Sequence, residues 1–158
     1  MLTPKTVAES RTSHVQILMP AHLNGYERLF GGRLMEWIDM VAGVVARRHS
    51  GCEVTTASID SLEFQAPAFV NDTIVLDGCI TYTGRTSMEV RVDTFVESLN
   101  GERHRVNRAY LVMVALDRET HKPAVVPPLE PVTIEEKTEW EAGHRRRALR
   151  KVRQEEKY

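Results

Sequence analysis

Residues 31–49 carry a helical pattern that is apolar around most of its circumference, and no second helix of that kind follows before residue 130. Leu34, Met35, Ile38, Val41, Ala42 and Val45 recur at three- and four-residue spacings. Trp37, Met40 and Val44 widen the stripe, so this helix is expected to be largely enclosed rather than laid on a surface. Arg47, Arg48 and His49 stand in its last turn, and Gly51 is placed to cap it.

A strand over residues 6–19, ended by Pro20, precedes this helix. Four β-like segments follow it, at about 53–65, 72–83, 86–98 and 105–117. The second puts Ile74, Leu76, Gly78 and Ile80 on one face; the third puts Met88, Val90, Val92 and Phe95 there, with one slip. Ala109 to Leu116 is almost continuously apolar and reads as the most buried stretch. Asn100-Gly101 reads as a hairpin turn. So few strands can bury one helix only if the sheet curls around it. The fold class is therefore α+β, with sheet edges and a far face that would seek a partner subunit.

Prolines 123, 127, 128 and 131 close the compact unit, giving one domain over 1–130 and a charged, helix-permissive tail over 131–158. The length of 158 residues suits a single core, and 42% hydrophobic content is ordinary for a globular protein. A net charge of −1 gives no overall pull toward nucleic acid or a membrane surface. No apolar run approaches a membrane span, and the N-terminus does not read as a signal peptide. Cys52 and Cys79 lack metal-type neighbours and read as buried or half-buried thiols in a reducing cytoplasm. The histidines show no ligand spacing, so no metal site is expected.

Candidate chemistry gathers at the start of the helix. Gly31-Gly32 opens it, and a helix N-terminus offers free N–H groups and partial positive charge that can hold an oxyanion. A plain loop-to-helix turn accounts for the same dipeptide. Asp39 sits within the apolar stretch, on the face of Gly32 and roughly 10 Å further along. A carboxylate there either points outward to a structural partner or has a task. Glu36, one turn away, is the weaker candidate because it lies on the flank. Asn24, in the entering loop, is either a substrate-orienting amide or the first residue of an Asn-Gly turn. One carboxylate with an oxyanion-type helix start suits acyl transfer to water, Asp39 acting as general base or as nucleophile.

Asn24, then Leu29-Phe30-Gly31-Gly32, Trp37, Asp39 and Ala42 resemble the acyl-CoA hydrolase family of hotdog thioesterases, the bacterial broad-range and brain-type enzymes. The resemblance continues through Thr55-Thr56-Ala57-Ser58, Phe64 and Pro67, then Gly84-Arg85-Thr86-Ser87-Met88-Glu89-Val90, then Val114-Ala115-Leu116-Asp117. It covers about residues 10–128 in order. It implies a hotdog fold, with a long central helix wrapped by a five-stranded antiparallel sheet. It implies hydrolysis of acyl-CoA to a carboxylic acid and CoA, with CoA as part of the substrate and no cofactor. Asn24, Asp39, Gly31 and Gly32 fall on the catalytic positions. Thr56, Ser58, Phe64 and the turn Gly84, Arg85, Thr86, Ser87 fall on substrate- and CoA-binding positions. Partners implied are a second copy, with active sites at the dimer interface, and a trimer of dimers. Glu27 departs from the pattern, which often has glycine there; the loop path then depends on Gly25.

In the tail, Arg145, Arg146, Arg147, Arg150, Lys151 and Arg153 form a basic cluster balanced by glutamates. It reads mainly as a solvated helix face, with contact to CoA as the second reading and nucleic acid disfavoured for want of interleaved aromatics. Two other functions stay open: a non-catalytic acyl-CoA or nucleotide-binding module, and a dehydratase that would pair a histidine such as His22 with Asp39.

Overall fold

The computed structural model describes residues 1–157. Strands β1 (Lys5–Thr6) and β2 (Thr12–Ile17) lead into helix α1 (Gly31–Ser50). Strands β3 (Glu53–Phe64), β4 (Thr73–Thr83), β5 (Ser87–Glu97) and β6 (Arg103–Leu116) follow. A short β7 (Leu129–Glu130) and helix α2 (Ile134–Glu155) complete the chain. β2 to β6 form one antiparallel sheet in the order β2-β4-β5-β6-β3, and α1 touches all five strands.

The wrap is possible because α1 can come close to the sheet. Gly78 faces the helix, and a Cβ there would lie 2.6 Å from Val41 Cγ1 and 3.0 Å from Val45 Cγ2. Leu34, Ile38 and Val41 pack on Leu76, Ile80, Val90 and Leu111 in a continuous core. Each such fully buried aliphatic side chain contributes about 1.5–3 kcal/mol. Gly51 takes the left-handed conformation (φ 70°) that ends α1, and Asn100-Gly101 makes the expected hairpin turn.

Several expectations are corrected. The first strand is two pieces, because Val7 and Ser10 turn inward between them, and β1 pairs in parallel with β7. The proline stretch itself packs on the core: Val126, Pro127 and Leu129 are buried, and Pro127 carbonyl bonds the buried His49 ring at 2.8 Å. Thr94, not Phe95, continues the inward row of β5, and the ladder to β6 shifts register between them. β6 alternates buried and half-buried residues; β4, covered on both faces along most of its length, is the most buried strand. α1 is enclosed only on the sheet side. Met35, Met40 and Val44 remain 38%, 52% and 37% exposed, because they flank the edge strand β3 and no further strand covers them.

The tail differs most. α2 docks on the outer face of the sheet. Gly143 allows it: a Cβ there would meet Tyr82 Cβ at 2.8 Å and Glu89 Oε1 at 3.0 Å. Arg146 and Arg150 are largely withdrawn from solvent and ion-paired to sheet carboxylates and, for Arg146, to Glu139, while Arg153 stays half exposed and pairs with Asp60. Glu89, whose side chain is 0% exposed, accepts from Thr81, Arg146 and Arg150. Alternation along β5 puts Glu89, Arg91 and Asp93 on one face, a signal in the sequence that this face needs a charged cover.

Candidate active site

α1 and β3 run side by side, and the candidate residues fall along their seam. At its far end Thr56 Oγ1 donates to Asp39 Oδ1 at 2.5 Å and touches Met113 Sδ at 3.6 Å. Only one carboxylate oxygen is tied in this way. Asp39, Met40, Gly43, Val44, Thr56 and Met113 line a cleft of 360 Å³, open along the exposed strip of the helix. The pairing of Asp39 is with a threonine hydroxyl and not with a structural arginine.

At the near end, Phe30 is the N-cap of α1 and supplies no side-chain cap, and no acidic residue stands in the first turn. The first amides of the helix therefore keep their donors free. The Phe30 ring folds to within 2.7 Å of where a Gly32 Cβ would be, and the Phe64 ring to 3.4 Å of a Gly31 Cβ. The glycines thus let two aromatic rings wall the helix start. Asn24 Oδ1 accepts from the amides of Tyr26 and Arg28, so the turn role of this residue is real. Asn24 also lines the neighbouring cleft, with Arg28, Leu34, Phe64 and Val106. Glu27 holds φ 59°, the left-handed conformation that glycine favours, so the loop keeps its path without glycine and carries the strain. Gly25 is not in that conformation and does not substitute for it.

The Gly84–Ser87 turn joins β4 to β5, closed by Gly84 N–H donating to Ser87 carbonyl at 2.8 Å. Met88, Met113 and Thr56 lie in one row across β5, β6 and β3. The turn therefore stands at the level of Asp39 and Thr56, about 10 Å across the sheet. Arg85 and Ser58 are exposed, the latter between two register shifts in β3. One subunit thus brings Asp39 to Thr56 and Asn24 to Phe64, but sets the two pairs in different clefts.

Other titratable groups serve the fold. His22 Nδ1 accepts from Met19 N–H, and its ring packs edge-on against Trp37 at 5.0 Å. It does not pair with Asp39 within one subunit. Burial pushes the Cys79 thiol up, away from reactivity, and Cys52 is half-buried. No group of side chains among the described residues is arranged to hold a metal ion. No helix among them is long and apolar enough to cross a membrane.

Residues 26–100 match the family model described as Thioesterase superfamily. An uncharacterized acyl-CoA thioester hydrolase of Bacillus subtilis is 40% identical over 139 residues, which cover 86% of this chain and 80% of that one. The chain belongs to the acyl-CoA hydrolase family of hotdog-fold thioesterases. The crystal structure of an apo-hexameric acyl-CoA thioesterase superposes with a TM-score of 0.92 at 40% identity, covering 96% of this chain and 97% of the other. The acyl-CoA hydrolase of Staphylococcus aureus, solved in complex with butyryl coenzyme A, coenzyme A and coenzyme A disulfide, superposes with a TM-score of 0.92. It is 34% identical, with 97% of this chain and 93% of that chain covered. The same enzyme has been solved as single alanine variants of an asparagine, an aspartate and a threonine.

Proposed function

We propose that the chain hydrolyses acyl-CoA to a carboxylic acid and CoA, at sites that two subunits build together. The observation that carries this reading is the Asp39–Thr56 pair, a carboxylate held on one oxygen beside an apolar cleft. In the family variants, the interval from asparagine to aspartate and from aspartate to threonine equals that from Asn24 to Asp39 and from Asp39 to Thr56.

The free N–H groups of Gly31 and Gly32, with the Asn24 amide, polarise the thioester carbonyl. Asp39 takes a proton from water as the water oxygen bonds to the carbonyl carbon, or attacks the carbonyl itself to form a mixed anhydride that water hydrolyses after CoA has left, releasing the acid and restoring the carboxylate. The C–S bond then breaks, and the CoA thiolate leaves without needing an acid, since a thiol ionises near pH 8.5. Phe64 borders the reacting carbonyl, and Thr56 and Ser58 line the approach along β3. Gly84, Arg85, Thr86 and Ser87 hold the pantetheine and phosphates of CoA.

Sharing follows from distance. Asp39 lies about 12 Å along α1 from Gly31, whereas a base must come within about 3 Å of the reacting atoms. A two-fold partner reverses the seam, so that its Gly31 end meets this subunit's Asp39 end. The exposed edge β3 and the strip Met35, Met40 and Val44 offer the surface for it, and three such dimers make a hexamer. Residues 1–130 form the catalytic unit, and 131–158 an appended tail whose helix α2 docks on it.

The test uses two variants, Asn24→Ala and Asp39→Ala, each expected to be inactive as a homodimer. Co-expressed, they should regain CoA release, because one site of each mixed dimer is intact. Mixed dimers that form but stay inactive would refute sharing. Failure of the unaltered protein to release CoA from any acyl-CoA, short or long, would refute the hydrolase reading.

A further inference from the structure

Three arginines of α2 are committed to carboxylates: Arg146 to Glu89 and Glu139, Arg150 to Glu89 and Asp60, and Arg153 to Asp60. Arg147, the next residue after Arg146, has no ion pair among the described residues. The helix turns it about 100° from Arg146. It reaches the β4–β5 turn instead.

Its guanidinium rests against Gly84. A Cβ on that glycine would lie 3.1 Å from Arg147 Nη2, 3.2 Å from Arg147 Cζ and 2.8 Å from Ser87 Oγ. Gly84 is not among the positive-φ glycines, so its backbone conformation does not demand glycine. The Arg147 and Ser87 side chains occupy the space that a Cβ would take. The Tyr82 ring, 5.9 Å from Cζ, backs the other side. Arg85 in the turn and Lys151, one turn along α2 from Arg147, also lack ion pairs among the described residues. The protein thus sets the Arg147 guanidinium and the Ser87 hydroxyl against one glycine turn, and supplies no carboxylate partner to Arg147 among the described residues.

A phosphate dianion completes such a cluster, since a guanidinium presents paired donors that match phosphate oxygens. We infer that Arg147 is a specificity-determining residue that binds a phosphate of the CoA nucleotide, selecting CoA thioesters over thioesters that lack the nucleotide. This rests on the hydrolase reading above. It also gives α2 a part in the site: the ion pairs of Arg146, Arg150 and Arg153 anchor the helix so that Arg147 stands at the turn.

The experiment compares one acyl group carried on CoA, on dephospho-CoA and on N-acetylcysteamine, with Arg147→Gln and Arg147→Lys against the unaltered enzyme. Arg147→Gln should raise KM for acyl-CoA about tenfold, the loss of one charged hydrogen bond, with kcat within about twofold. Its kcat/KM for the N-acetylcysteamine thioester should not change, and Arg147→Lys should recover most of the affinity. An effect of Arg147→Gln that vanishes on dephospho-CoA places the contact on the 3′-phosphate; one that persists places it on the diphosphate. An unchanged KM for acyl-CoA, or an equal loss on CoA and N-acetylcysteamine thioesters, would overturn the inference. If the unaltered enzyme turned over none of these thioesters, the hydrolase reading would fall first. Calorimetric binding of CoA to the unaltered protein and Arg147→Gln would then decide the role of Arg147 by itself.

Discussion

Thr56 Oγ1 donates a 2.5 Å hydrogen bond to Asp39 Oδ1, joining the edge strand β3 to the exposed strip of α1. The bond fixes one carboxylate oxygen, and under the proposed mechanism the other does the chemistry. Asp39→Asn should therefore lower kcat by about 10² to 10⁴, the usual worth of a general base. Thr56→Ala should cost less, about tenfold, because it removes one hydrogen bond to a charged group. Thr56→Ser should retain most activity. CoA release followed with a thiol reagent measures all three, with thermal unfolding as the control for folding.

Glu89 sits wholly inside the sheet–α2 interface, with two guanidinium groups and the Thr81 hydroxyl on its oxygens. Glu89→Gln keeps the shape and removes the charge. Arg146 and Arg150 then lose one buried partner but keep Glu139 and Asp60, and the expected destabilisation is about 1.5–3 kcal/mol. The midpoint of urea unfolding measures it. A change within about 0.5 kcal/mol, typical of surface sites, would show that the network is solvent-screened.

Gly143→Ala sets two effects against each other. Alanine favours a helix interior over glycine by about 1 kcal/mol. Its methyl group would lie 2.8 Å from Tyr82 Cβ, and overpacking of that kind costs about 1–3 kcal/mol. Tyr82 Cβ cannot rotate away, so overpacking wins and α2 should loosen. The measurement is amide exchange along α2, which should speed up while that of β4 and β5 does not.

His49 gives stability a pH dependence. Burial holds its pKa below the ordinary 6.5, although the bond to Pro127 carbonyl opposes the shift. Below about pH 6.5 the unfolded chain takes up a proton that the folded ring resists. Stability is therefore complete above pH 6.5 and falls as the pH drops toward the lowered folded value. Denaturant unfolding between pH 7 and 5 should show this slope, and His49→Gln should flatten it.

Much of the fold was legible because burial leaves a periodic trace. The apolar wheel of residues 31–49, the alternation of β4, and Gly51 and Asn100-Gly101 at their turns each encode local geometry that side-chain chemistry dictates. The pairing of Asp39 with Thr56 was not legible: it joins residues seventeen apart across an α–β seam, and nothing local specifies that they meet. The tail shows the same division. Its sequence determined a helix with arginines on several faces. Only docking decided that Arg146, Arg150 and Arg153 turn to Glu89 and Asp60 while Arg147 turns to Gly84, because a charge finds its partner through space and not along the chain.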